Sequence, residues 1–360
     1  MLKVLVAMSG GVDSSVTAAL LKEKGYQVSG IRMKIWDGAT LPEKQTSRAC
    51  YGPGEEENTE DARKVSQLLN IPFYSLDLRE EYKTEVLDYF NHEYLSGRTP
   101  NPCLRCNHFI KFGALLRKAQ DSGIEFDYFA TGHYARVEYN KDSNRYLLKK
   151  ANDLKKDQSY FLASLSQEQL GYSLFPIGDY TKDEVRKIAR EFRLGVEHKP
   201  ESQDFIASGY HSLINTVQPG PILNRQGDIL GKHRGIPFYT IGQRKKLGIS
   251  GKEPSYVTDI DPEKNTITIG PKEGLFQDEL LASKLNWISI EKTDQPLKVK
   301  AKIRYVHLEE QATVTPVNTD EVYVKFEKPQ RAITPGQIVV FYQGDVVVGA
   351  GTIERTRVGN

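Results

Sequence analysis

The chain opens with a β-rich apolar run, Lys3–Met8, which breaks into Ser9-Gly10-Gly11-Val12-Asp13-Ser14-Ser15 and passes directly into a stretch of helical spacing, Ser14–Lys24. There Val16, Ala19 and Leu20 share one face. A strand, a glycine turn and a helix in immediate succession form half of a parallel crossover unit. The pattern then repeats: Gln27–Met33 reads as a strand, Glu57–Leu69 as a helix, Pro72–Leu76 as a strand, Glu80–Leu95 and Phe109–Ala119 as helices, and Tyr128–Ala130 as a short strand. Strands separated by helices predict an α/β fold with a parallel sheet covered on both faces. Ligands of such sheets sit beyond the carboxyl ends of the strands.

The loop after the first strand falls at that position. Gly10 and Gly11 let the backbone bend and come close to a ligand. Free N–H groups at the helix start, with the Ser9, Ser14 and Ser15 hydroxyls, form an anion cradle. Asp13 would repel a phosphate, so its sensible role is to hold Mg²⁺ against one. The lysine of the Walker loop is missing, which excludes the ordinary P-loop. The bland alternative is a Gly-Ser turn capping a helix.

Beyond this unit the texture varies. Trp36–Thr59 has no apolar period, carries Cys50, and reads as a functional loop. Asn140–Asn144 reads as a hairpin tip, and Thr181–Arg193 as a helix opened by a capping box of Thr181 and Glu184. Between Pro221 and Ser250 six cations (Arg225, Lys232, Arg234, Arg244, Lys245, Lys246) face one acid, Asp228. From Leu297 onward the pattern is β. Lys298, Lys300, Lys302 and Arg304 alternate with Val299, Ala301, Ile303 and Tyr305, so the cations share a face. Ile338–Tyr342 and Val346–Gly349 continue it towards a small antiparallel barrel. We place the domains at 1–208, 209–278 and 279–360. The formal net charge is only +2, so any nucleic-acid surface must be local. No stretch reaches the roughly 18 apolar residues of a membrane helix, and the N-terminus lacks the pattern of a signal peptide. The three cysteines, Cys50, Cys103 and Cys106, are a poor disulfide framework and suit a reducing, cytoplasmic setting.

The SGGVDSS loop resembles the PP-loop of ATP pyrophosphatases, which cleave ATP between the α and β phosphates. Later motifs narrow the choice. Gly97-Arg98-Thr99-Pro100-Asn101-Pro102-Cys103-Leu104-Arg105-Cys106-Asn107, Ile110-Lys111-Phe112-Gly113, Ala130-Thr131-Gly132-His133-Tyr134-Ala135-Arg136, Lys155–Leu162, Tyr239–Arg244 and Thr334-Pro335-Gly336-Gln337 are similar, in order, to segments of the tRNA-specific 2-thiouridylases. The resemblance spans almost the whole chain. It implies a PP-loop (adenine nucleotide alpha hydrolase-like) domain, a small central domain and a C-terminal antiparallel β-barrel. It implies ATP and Mg²⁺ as cofactors, with Ala7, Met8, Ser9, Gly10, Gly11, Val12, Asp13, Ser14, Met33 and Gly132 around the nucleotide. It implies tRNA as partner, with the wobble uridine as target and the protein as a monomer. Asn101, Pro102 and Cys103 would meet the target base. His133, Lys156, Asp157, Gln158, Arg304, Tyr305 and Gln337 would contact tRNA, and Cys106 would be catalytic. Read from the residues alone, His133 fits a core histidine equally, and the 298–304 face fits plain solvent surface. Pro100 and Pro102 stiffen the approach to Cys103 and Cys106, as a rigid strap for a flipped nucleotide requires.

One departure stands out. The commonest family pattern has an aspartate where Cys103 stands and a later cysteine that carries persulfide. The matching stretch here, Ser202-Gln203-Asp204-Phe205-Ile206-Ala207, has none. The sulfur donor could therefore be a hydrosulfide delivered by a 4Fe-4S cluster on Cys50, Cys103 and Cys106, a Cys103–Cys106 dithiol, or, less simply, a zinc site with His108. A PP-loop ligase of a small metabolite and a non-catalytic tRNA-binding protein are the alternatives to a sulfurtransferase.

Overall fold

The computed structural model describes residues 1–38, 49–199, 204–206, 214, 217–249 and 253–355. Part of the expected loop at 36–59, and Ser202, Gln203 and Ala207 of the stretch without cysteine, lie outside the described residues.

The alternating first half forms the expected parallel sheet. Strand β1 (Lys3–Ala7) leads through the glycine loop into helix α1 (Val12–Glu23), and β2 (Gln27–Lys34) pairs parallel to β1. A short strand, β3 (Ala49–Tyr51), helix α2 (Glu55–Leu68) and β4 (Phe73–Asp77) follow. Then come helix α3, made of Arg79–Tyr82, Lys83–Asp88 and Tyr89–Leu95, and helix α4, made of Pro102–Arg105, Cys106–Ala114 and Leu115–Asp121. Strand β5 (Tyr128–Ala130), the hairpin β6 (Ala135–Asn140) and β7 (Arg145–Lys150), strand β8 (Ser173–Leu174) and helix α5 (Lys182–Glu191) complete this part. The sheet order is β4-β2-β1-β5-β8, with every pairing parallel. Val4, Leu5 and Val6 of β1 are buried and feed two cores, Leu5 one and Val4 and Val6 the other. Both faces of a central parallel strand are covered, so its sequence is a continuous apolar run.

Helix α4 starts earlier than its apolar period suggests. Pro102 occupies the first turn, where its missing N–H costs nothing, and Asn101 Oδ1 accepts the Leu104 N–H at 3.2 Å. Cys103 and Cys106 therefore lie on a helix rather than on a stiff extended strap. From Cys106 to Ala114 this helix is wound as a π-helix, a rare form concentrated at functional sites. Cys50 also lies on an element rather than in an open loop. Strand β3 pairs parallel with β9 (Asp204–Ile206), Ala49 opposite Asp204 and Tyr51 opposite Ile206.

A second sheet orders Ile229–His233, Gly220–Leu223, Thr266–Gly270 and Tyr256–Asp261 around Ile222, Val257, Ile267 and Ile269. The last part is a closed antiparallel barrel. Phe276–Trp287, Glu321–Arg331, Glu310–Pro316, Leu297–Lys302, Ile338–Gln343 and Val346–Arg355 neighbour one another in that order, and the first pairs with the last. The β6–β7 hairpin joins its edge through Lys149 opposite Val346. Period-two alternation holds along Leu297–Lys302: Val299 and Ala301 are buried while Lys298 and Lys300 are exposed. Lys302 is half-buried, and Arg304 lies past the strand, donating to the Arg331 carbonyl at 2.9 Å. No helix among the described residues is long and apolar enough to cross a membrane.

Candidate active site

The phosphate loop is built from its own residues. The Ser9 N–H donates to Ser14 Oγ at 3.1 Å, and Ser15 Oγ donates to the Gly11 carbonyl at 2.8 Å. Gly10 has φ +80°, and a Cβ there would lie 2.3 Å from the Asn58 carbonyl oxygen, so α2 can approach only a glycine. Gly132 is the counterpart from the next strand: a Cβ would lie 2.7 Å from the Ser14 nitrogen. The segment after β5 therefore closes directly onto the start of α1. Ala7, Met8 and Val12 flank the loop, and Met33 lies near the carboxyl end of the adjacent β2.

Asp13 does not stand open. Its two carboxylate oxygens each accept Lys182 Nζ at 2.8 Å, and Oδ1 also accepts the Tyr134 hydroxyl at 2.9 Å. Lys182 comes from the first turn of α5, whose capping box of Thr181 and Glu184 is formed as expected. Neither Lys182 nor Tyr134 was singled out from the sequence. One signal was available: a lysine in the first turn opposes the helix dipole and needs an anion to hold it.

The thiol side is assembled from distant segments. Cys103 is exposed and Cys106 buried on α4, and Cys50 is exposed on β3. Tyr51 stacks on Tyr82 of α3, with centroids 5.6 Å apart, and so ties β3 to the helical layer. The protein packed around the Cys103 thiol pushes its pKa up to about 12, with Cys50 and Cys106 adding repulsion and Lys111 opposing. Burial pushes Cys106 up to about 11, again opposed by Lys111. All three thiols, after burial, help raise the Tyr82 hydroxyl. The thiols therefore sense one another. Even so, no three His, Cys, Asp or Glu side chains among the described residues are gathered closely enough to hold a metal ion, so the expected cluster and zinc ligand sets are not assembled in this geometry.

Lys111 was quoted only as part of a motif, and its placement explains why. It stands five residues from Cys106, which in an α-helix is no neighbour. In the π-helix of Cys106–Ala114 hydrogen bonds join residues five apart, so positions one turn apart share a face. Lys111 also depresses the pKa of His133, after burial, which is the larger cause. His133 packs against Phe112 and Phe175, with Nδ1 sharing a 2.7 Å hydrogen bond with Thr131 Oγ1.

Several residues expected at tRNA also bond within the protein. Gln337 Nε2 donates to the carbonyls of Thr99 and Pro100 at 3.0 and 3.1 Å, fixing the chain just before Asn101. Arg98 pairs with Glu93 and Glu354, both at 2.7 Å, joining the same segment to the barrel. Asp157 is buried and accepts from the Ala151 and Ser159 N–H groups, and Gln158 Oε1 accepts the Tyr134 N–H at 2.9 Å. Tyr305 packs at a tilt against Phe161, ring centroids 4.5 Å apart. Lys156, from the same motif, is also engaged. Asn101 and Arg105 line a cavity of about 320 Å³ between α4 and the barrel.

Residues 2–207 match the family described as tRNA methyl transferase HUP domain, 210–271 the tRNA methyl transferase PRC-barrel domain, and 277–353 the aminomethyltransferase beta-barrel domain. The chain is 50% identical over 361 residues to tRNA-specific 2-thiouridylase MnmA 1 of Caldanaerobacter subterraneus subsp. tengcongensis, covering 98% of both chains. It is 48% identical to the MnmA enzyme of Desulforamulus reducens, covering 98% of this chain and 97% of the other. It is 49% identical to that of Moorella thermoacetica, covering 97% and 99%. Among solved structures, NMN synthetase from Francisella tularensis aligns with 55% of this chain and 64% of its own at 14% identity and a TM-score of 0.33.

Proposed function

The chain belongs to the tRNA-specific 2-thiouridylase family, and from that premise we propose that it is a tRNA uridine 2-sulfurtransferase that activates the C2 oxygen of the wobble uridine with ATP and replaces it with sulfur. The observation that carries this reading is the linking of two chemistries, phosphate loop and thiols. Gly132 packs against Ser14 of the phosphate loop, His133 follows it in the chain, and Lys111 acts electrostatically on His133 and on the thiols of Cys103 and Cys106.

The chemistry requires both. The C2 oxygen is a poor leaving group until it attacks the α-phosphate of ATP and becomes an adenylate, with pyrophosphate expelled. Loop N–H groups and the start of α1 stabilise the charge on the phosphates. Asp13, with the neighbouring serine hydroxyls, supplies hard oxygen ligands that fit Mg²⁺, and that ion contributes charge neutralisation when bound. A sulfur nucleophile then attacks C2. The C–S bond forms, the C–O bond to phosphorus breaks, and AMP departs with the oxygen. Raised thiol pKa values keep Cys103 and Cys106 protonated at neutral pH, so an anionic sulfur there needs Lys111 beside it. Cys50 opposite Phe205 of β9, one residue from Ile206, supplies a thiol beside the stretch that lacks one. The three thiols are not gathered as cluster ligands among the described residues, and the sulfur step is written without a cluster.

The test is nucleoside analysis of tRNA from a strain lacking the protein, joined to thiolation assays of Cys50→Ala, Cys103→Ala and Cys106→Ala prepared anaerobically with iron and sulfide analysis. Loss of 2-thiouridine derivatives alone supports the proposal. Unchanged 2-thiouridine would leave a small-metabolite ligase or a tRNA-binding protein. Loss of iron together with activity in all three variants would place the sulfur on a cluster. An iron-free, fully active Cys50→Ala would leave the dithiol of Cys103 and Cys106.

A further inference from the structure

We propose that Lys182 is the phosphate-contacting cation of this loop: when a metal-bound triphosphate enters, the ammonium leaves Asp13 for the oxygens of the departing pyrophosphate, and the Asp13 carboxylate is freed for the metal. The proposal rests on the reading of Ser9–Ser15 as a nucleotide site.

Three observations carry it. First, the loop contains no cation of its own between Ser9 and Ser15, although its ligand is polyanionic. Second, Lys182 is placed at a cost. It is 8% exposed, and it sits in the first turn of a ten-residue helix, where the dipole disfavours positive charge. Burying an ammonium is expensive unless it is well paired. Third, its pairing is with the one loop residue whose charge is wrong for phosphate. Both Asp13 oxygens accept Lys182 at 2.8 Å, and the Tyr134 hydroxyl holds Oδ1 at 2.9 Å, so the carboxylate is already oriented.

The arriving metal and phosphate form an ion pair of the same kind. Exchange of partners leaves every charge neutralised: the carboxylate faces the cation and the ammonium faces the phosphate. No net charge is buried or exposed in the exchange, which keeps the desolvation cost small. The other cations at the loop are less suited. Lys199 donates to the Gly10 carbonyl at 3.1 Å and pairs with Asp61, which anchors the loop backbone. Arg32 is turned to the carbonyls of Met8 and Glu55, at 3.4 and 3.5 Å. Tyr134, which belongs to the same segment as Gly132, would keep the freed carboxylate in place.

The test measures binding of inorganic pyrophosphate and of AMP by calorimetry, with and without Mg²⁺ and without tRNA, to the full-length wild type, Lys182→Met, Asp13→Asn and the double variant. One charge-assisted contact corresponds to about ten- to hundredfold in affinity. Lys182→Met should lose that factor for pyrophosphate while AMP changes by less than about twofold. Metal-free pyrophosphate should bind Asp13→Asn more tightly than wild type, because the Asp13 carboxylate no longer competes for the ammonium. The double variant, which removes both charges of the Asp13–Lys182 pair together and so controls for misfolding, should lose that gain. Pyrophosphate affinity unchanged in Lys182→Met, or a double variant as tight as Asp13→Asn, overturns the proposal. If the wild type binds neither pyrophosphate nor AMP, the nucleotide reading itself fails and this inference falls with it.

Discussion

The two halves of the site are built in opposite ways. The phosphate side is a contiguous string whose loop is shaped by its own hydrogen bonds, Ser9 to Ser14 and Ser15 to Gly11, within one strand–turn–helix unit, while Lys182, Tyr134 and Lys199 reach it from outside. The thiol side has no such string. Cys50 is delivered by a strand that pairs with Asp204–Ile206, Cys103 and Cys106 by a helix, and the segment leading to that helix is tied down by Gln337 and Glu354 of the barrel. A self-bonded site survives changes elsewhere in the molecule. A site assembled from distant segments inherits every looseness of its supports. The comparison therefore predicts that damage to the phosphate side stays local, whereas damage far from the thiols reaches them.

The largest effect should come from the phosphate side itself. Asp13→Ala should lower pyrophosphate release in the presence of tRNA by about 10²–10³-fold, as expected when charge stabilisation of a transition state is removed. Affinity for tRNA should stay within about twofold, because the loop bonds do not reach the barrel. Release close to that of the wild type would remove Asp13 from the chemistry. A parallel loss of tRNA affinity would break the claim that this half is self-contained.

This same contrast decides what could be read beforehand. The parallel sheet, the loop, the capping box at Thr181 and the barrel were legible because each is set by local spacing: apolar runs, period-two alternation, a Thr and a Glu three apart. Cys50 was read as part of a loop. Its strand exists only through pairing with a segment far along the chain, and no local period encodes that. Lys111 was passed over because α-helical spacing separates it from Cys106, and only the π-winding brings them onto one face. Gln337 and Asp157 were assigned to tRNA from resemblance, and in the structure both side chains also bond to protein backbone, which no motif reveals. A motif identifies a residue that matters, but not whether it matters by contact or by support.

An intermediate effect should come from the support of the thiol side. Gln337→Ala removes both hydrogen bonds to the Thr99 and Pro100 carbonyls, at 3.0 and 3.1 Å, and loosens the chain before Asn101. Misplacing a positioned group by about an ångström can cost up to about a hundredfold in rate, so thiolation should fall by about ten- to hundredfold. Pyrophosphate and AMP affinities, measured without tRNA, should not move. Equal losses on both sides would mean that the halves are mechanically one. An undiminished thiolation rate would free Gln337 from the supporting role.

The smallest effect should come from Thr181→Ala, which sharpens the comparison because it loosens the support of Lys182 without touching the loop. Thr181 Oγ1 accepts the Glu184 N–H at 3.3 Å, and the Glu184 carboxylate accepts the Thr181 N–H at 2.7 Å. Losing an N-cap should lower Tm by about 2–4 °C in a chain of this kind. The effect carries a pH signature. The Thr181 N–H, and then its hydroxyl, hold the Glu184 carboxyl below its ordinary value. A depressed carboxyl contributes stability that is present above the unfolded value of about 4.3 and disappears as pH falls through the folded one. The Tm gap between wild type and Thr181→Ala should therefore be widest near neutrality and narrow below about pH 4, where the carboxylate is lost from both proteins. If the phosphate side is as self-contained as its hydrogen bonds imply, pyrophosphate affinity should fall by no more than about twofold, since Asp13 still holds Lys182 from the other end. A tenfold loss from this one cap would show that the loop depends on α5 for more than the ammonium, and the contrast between a local and an assembled half-site would no longer hold.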